Sequence, residues 1–113
     1  MAKKYATALE AFDDFERFLE NNLFFEAHEA LEALWFARRF EDSDYVRLLR
    51  GFINAAVSFE LIKRGKIEAS KKPWATYIKY LPLLDNITDD LVRDFIKAQN
   101  IIDKTKERLC HNL

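Results

Sequence analysis

Apolar residues return at intervals of three and four along nearly the whole chain, the spacing that lines side chains along one face of a helix. Between Thr7 and Glu20 they are Leu9, Phe12, Phe15, Phe18 and Leu19, which predicts an amphipathic first helix. Asn21 and Asn22 interrupt the pattern, and either can accept a backbone N–H at the start of a second helix, from about Leu23 to Arg38. So short a connection predicts an antiparallel hairpin. Arg39 to Asp42 form a polar connector, Ser43 is a fitting N-cap, and Asp44 to Lys63 are apolar over most of their circumference. Such a helix belongs in the middle of a bundle. Lys63 and Arg64 followed by Gly65 supply a cationic last turn and a residue at ease in the left-handed conformation, so this helix is expected to stop there.

The next segment, Lys66 to Leu84, contains Pro73, whose missing N–H and fixed φ predict two helical pieces. In the second piece Trp74, Tyr77, Ile78 and Leu81 share a face before Pro82 disturbs it. The last helix should be capped by Thr88 and favoured by Asp89 and Asp90 at its positive end. Its seam of Leu91, Phe95, Ala98, Ile102 and Leu109 should pack on the bundle or on a second copy of the chain. Only two Gly and two Pro occur, too little punctuation for many short strands, and no repeat or low-complexity segment is visible. The expectation is all-α: a single domain over residues 1–113, a bundle of about five helices built on antiparallel helical hairpins.

Composition narrows the function classes. Half the residues are apolar and 33% are charged, which argues for a packed core and against disorder. Eighteen basic against nineteen acidic residues leave a net charge of -1, so the positive footprint of a nucleic-acid binder is missing. Cys110 is the only cysteine and cannot close an internal disulfide; its neighbour His111 places the pair in what reads as a dispensable tail. No apolar run approaches the ~20 residues of a membrane span, and Met1-Ala2-Lys3-Lys4-Tyr5 lacks the apolar stretch of a signal peptide. A cytoplasmic protein with no nucleic-acid and no membrane partner is expected. Lys63, Arg64, Lys66, Lys71 and Lys72 cluster about Gly65 beside Trp74 and Tyr77, and read as a solvated turn.

One constellation carries chemistry. On a helical wheel Leu23, Ala27, Leu31 and Leu34 form the core stripe of the second helix. The adjoining arc holds Phe24, Trp35, His28, Glu32, Phe25 and Phe36, an imidazole and a carboxylate among aromatic rings that should keep water scarce. His28 and Glu32 stand at i and i+4, within reach of a shared proton or a shared metal ion. A carboxylate in such surroundings needs a partner. The following helix offers Arg47, Arg50, Asn54 and Ser58 as a narrow polar strip, and Glu60 is a second acid where the pattern expects hydrophobes.

His28, Glu32 and Trp35 spell H-x-x-x-E-x-x-W within Phe25-Glu26-Ala27-His28-Glu29-Ala30-Leu31-Glu32-Ala33-Leu34-Trp35. This resembles the signature of the prokaryotic domain-of-unknown-function family 309. Leu49-Arg50-Gly51-Phe52-Ile53-Asn54-Ala55-Ala56, continuing to Lys63-Arg64-Gly65, is similar to that family's following helix and turn. The resemblance spans about residues 15–85. It implies a small helical bundle and a motif suggested to bind metal, without an established activity. It departs at Arg50, where many relatives carry Gln, and near Glu60, where they carry His, so no ligand role passes to that helix.

Known catalytic spacings do not fit. His28-Glu29-Ala30-Leu31-Glu32 begins like H-E-x-x-H but has Glu where the second zinc-binding His belongs, and Phe25 stands where a di-iron E-x-x-H motif needs Glu. Two readings stay open. In one, a binding protein or small enzyme uses a pocket of His28, Glu32 and Trp35 with Arg50, Asn54 and Glu60 near it. There His28 and Glu32 would be ligands of a divalent metal or partners in proton transfer. In the other, a noncatalytic helical interaction module uses the trio to lock helix two on helix three, as a buried pair costing ~3–5 kcal/mol to break. That module could be a homodimer closed over an aromatic strip left by helices one and five.

Overall fold

The computed structural model describes residues 5–110. Five α-helices occur among them: α1 (Ala8–Glu20), α2 (Phe24–Arg38), α3 (Asp44–Lys63), α4 (Ile67–Tyr80) and α5 (Leu91–Cys110), with a 3₁₀ segment, Leu81–Asn86, before α5. Neighbours in sequence pack as neighbours in space from α1 to α4, and α5 lies across α1 and α3. Met1 to Lys4, on which the signal-peptide reading rested, and His111 lie outside the described residues.

The helix starts follow local chemistry. Thr7 Oγ1 accepts the Glu10 N–H and Ser43 Oγ accepts the Val46 N–H, both at 3.3 Å, each satisfying a donor that the first turn leaves free. At α5 the cap is one residue later than expected: the Asp89 carboxylate, not Thr88, takes the Leu91 N–H at 2.9 Å. Asn21 and Asn22 do not cap α2, which begins after Leu23 with no side-chain bond. They end α1 instead. Asn22 sits at φ 59°, and the Leu23 N–H reaches back to the Phe18 carbonyl at 2.8 Å. Gly65 repeats the arrangement after α3 at φ 78°, with the Lys66 N–H on the Leu61 carbonyl at 2.8 Å. Both are closures in which a left-handed residue lets two trailing N–H groups satisfy the last carbonyls. Leu23 and Lys66 consequently share a backbone conformation, ψ 67° and 65°, so the two hairpins turn the chain in the same way.

Pro73 does not divide its segment, which is one helix from Ile67 to Tyr80. The proline leaves the Ala69 carbonyl without its intrahelical donor, a change expected to cost ~3 kcal/mol in an isolated helix. Ala69 is exposed, so water can serve that carbonyl, and the packing of α4 along α3 outweighs the remainder. A buried tie fixes the two helices here: Ser58 Oγ donates to the Ser70 carbonyl at 2.8 Å.

α3 is covered on nearly every side and its Phe52 and Phe59 are fully buried. The ring of Phe52 meets Tyr77 of α4 and Phe95 of α5 edge to face, at 5.4 and 5.1 Å between centroids, and Phe95 meets Phe12 of α1 likewise at 5.1 Å. α4 comes close because residue 51 has no side chain. A Cβ on Gly51 would stand 3.2 Å from the Cβ of Tyr80 and 3.6 Å from the Cα of Tyr77. Gly51→Val should therefore push α4 off α3 and lower stability by about 2 kcal/mol, within the usual range for overpacking. Gly51→Ala should be closer to neutral, because the ~1 kcal/mol gain in helix propensity opposes a smaller clash. Urea titration of both variants checks the order.

Candidate functional site

α2 lies between α1 and α3. Its buried residues are Phe24, Ala27, Ala30 and Leu31; Leu23, placed in the core stripe by the wheel, is instead exposed, because it belongs to the turn that closes α1. On the side turned toward α3, His28 Nε2 and Glu32 Oε2 lie 2.8 Å apart. Their side chains are 21% and 44% exposed. The i, i+4 spacing thus does bring imidazole and carboxylate together. The surrounding rings do not keep water away: Phe24 is buried against Phe59, whereas Phe25 and Phe36 are 50% and 58% exposed, facing outward. A half-exposed pair is screened, so its worth is on the order of 1 kcal/mol or less and not that of a buried one.

Glu32 therefore finds its partner on its own helix. Of the polar strip on α3, Arg50 alone meets this region. Glu32, Trp35, Arg50 and Ile53 line a cleft of about 180 Å³ between α2 and α3. The Arg50 guanidinium lies 6.0 Å from the centre of the Trp35 ring. Arg47 is held by Asp42 and Asp44, and Ser58 is bonded to Ser70. Asn54 donates to the Arg50 carbonyl at 2.8 Å, and Glu60 pairs with Arg64 at 2.7 Å, so neither turns to the cleft. Among the described residues no carboxylate pairs with Arg50, and no three His, Cys, Asp or Glu side chains gather as metal ligands. His28 Nδ1 and the Trp35 Nε1–H are buried with no hydrogen-bond partner.

A family described as a domain of unknown function (DUF309) matches residues 12–72, more than half of the chain. The chain belongs to the DUF309 family. The matched stretch runs from α1 into α4 and includes both walls of the cleft. No curated protein and no solved structure matches the chain. In this DUF309 protein no helix among the described residues is long and apolar enough to cross a membrane. The basic cluster about Gly65 is partly neutralised, Arg64 by Glu60 and Lys71 by Glu68 at 2.8 Å, while Lys63 donates to the Asn22 carbonyl. Cys110 is not in a loose tail but in the last turn of α5, partly buried against the core.

The sequence reading missed one acid. Glu16 of α1 is buried under α5, with Lys97 Nζ 3.3 Å from its carboxylate. The signal was its spacing, four after Phe12 and three before Leu19 on the core-facing side. Burial outweighs the attraction of Lys97 and raises its pKa above 4.5, helped by Asp13 and Asp94 nearby. The folded state then holds this proton more tightly than the unfolded one, so the contribution of Glu16 to stability falls as pH climbs from its unfolded value through its raised folded value. Glu16→Gln, which cannot ionise, should gain on the wild type as pH is raised from about 4 to about 7. Thermal melts across that range measure the difference, and a variant that loses ground to the wild type as pH rises would contradict it.

Proposed function

We propose that this protein is a small binding module whose recognition site is the cleft between α2 and α3, and that its ligand is a compact amino-carboxylate such as a free amino acid. The observation that carries this reading is the bipolar lining. Arg50 offers a guanidinium that no carboxylate among the described residues claims, Glu32 offers an acceptor, and the Trp35 ring beside Arg50 adds an apolar wall. A ligand carboxylate would pair with Arg50 and its ammonium with Glu32, each a charge-assisted hydrogen bond. The size agrees: about 180 Å³ falls below the ~300–1,000 Å³ of sites for larger organic ligands. His28 acts as a positioning residue by holding the Glu32 carboxylate from the next turn of α2.

Two-dimensional NMR of the protein titrated with a panel of amino acids, and with acetate and methylamine as half-ligands, tests this. Saturable shifts at the Trp35 indole and the Arg50 side chain are expected for a subset of amino acids and not for either half-ligand. Arg50→Ala should weaken binding at least about tenfold, the ~1.5–3 kcal/mol of a hydrogen bond to a charged group. Shifts that never saturate, or that ignore Arg50→Ala, would remove the cleft as the site.

The His28–Glu32 pair favours a second reading, a divalent cation. An imidazole nitrogen and a carboxylate oxygen are fitting donors, and with no third protein ligand gathered there among the described residues the ion would keep several waters or take the carboxylate of a bound ligand. Calorimetric titration with Zn²⁺ of the untagged protein and of His28→Ala decides it. A heat of binding that disappears in the variant supports the metal, and identical heats rule it out.

A further inference from the structure

α2 has a face that no other described element covers. Phe25 and Phe36 on the helix and Phe40 in the turn beyond it are 50%, 58% and 89% exposed, while α1 and α3 occupy the other sides. These are the aromatic rings left in solvent; the strip expected on helices one and five is absent there, because Phe12, Phe15 and Phe95 are all consumed by the core. The Arg39 guanidinium lies over both Phe36 and Phe40, at 3.7 and 4.4 Å from their centres, and donates to the Phe36 carbonyl at 2.6 Å. The two rings are thereby held in place before anything binds. Together the three rings expose roughly 400 Å², with Phe36 and Phe40 adjacent and Phe25 about three turns earlier on the same side, across Glu29 and Glu32.

The charges on α2 say what fits. Glu26 and Glu29 stand near its start and Arg38 and Arg39 at its end. Arg38 is claimed by Glu41, but among the described residues no cation pairs with Glu26 or Glu29 and no carboxylate with Arg39. The uncompensated charge is therefore acidic at one end of the bare face and basic at the other. Two such faces brought together antiparallel about a two-fold axis set the acidic end of each against the basic end of the other, and oppose the helix dipoles as well. A parallel pairing would set like against like.

We propose that the α2 face of this protein is covered by a second copy of the chain, in an antiparallel two-fold pairing of the two α2 helices with Phe36 near its middle. The three rings supply about half of the ~800 Å² that each partner contributes to a stable interface, with the edges of the two helices supplying the rest.

Sedimentation velocity of the full chain over a range of about 1–500 µM is the test. A monomer–dimer equilibrium with half-dissociation on the order of micromolar is expected. Phe36→Ser with Phe40→Ser should leave the helical circular-dichroism signal intact and the protein monomeric throughout. Glu29→Arg and Arg39→Glu should each weaken the dimer at least about fivefold, and the double variant, which restores opposite charges across the axis, should recover most of the loss. A wild-type monomer across the whole range overturns the second copy as occupant and leaves the face to a foreign protein. A dimer indifferent to the serine variants, or charge reversals that do not compensate, overturns the antiparallel α2 pairing.

Discussion

α3 must be hidden from water on nearly all of its circumference, and the rest of the bundle is arranged around that requirement. A twenty-residue helix with buried Leu48, Leu49, Phe52, Ala55, Ala56 and Phe59 cannot stand at a surface. α2 covers one flank, α4 closes on the side where Gly51 permits a near approach, and α5 brings Phe95 over the Phe52 ring. α1 then has to meet α5, which it does through Phe12 against Phe95. The alternating edge-to-face rings let four helices share a core whose largest members are mostly phenylalanines.

The same arrangement explains why the chemistry lies where it does. α2 carries apolar side chains on more than one side, yet α1 and α3 can cover only part of them. What remains is divided between a cleft beside α3 and an open aromatic face. In the cleft, Trp35 and Ile53 provide apolar walls while Glu32 and Arg50 bring opposite charges to a half-wet setting. On the open face, Arg39 between two rings gives order to side chains that would otherwise be free to rotate.

Buried polar groups elsewhere mark where packing took precedence over solvation. Glu16 lies under α5 with its pKa raised, and the Tyr77 hydroxyl, buried without a hydrogen-bond partner, is driven upward for the same reason. Each is held by neighbours on its own helix that belong in the core: Phe12 and Leu19 around Glu16, Trp74 against Tyr77. A side chain cannot leave a face that its helix has already committed to burial.

Local pattern was enough for an all-α bundle of about five helices, the central place of α3, the cap at Ser43, the stop at Gly65 and the meeting of His28 with Glu32. All of these depend on residues within a turn or two of each other, where helix geometry leaves one answer. It was not enough where distant residues competed. The continuity of α4 through Pro73 depends on α3, the isolation of Asn54 and Glu60 from the cleft on nearer hydrogen-bond partners, and the exposure of Phe25 and Phe36 on which side of α2 its neighbours chose. Periodicity reports that a face is apolar, but only the packing of the other helices settles whether that face is covered, because covering it requires surface from elsewhere in the chain.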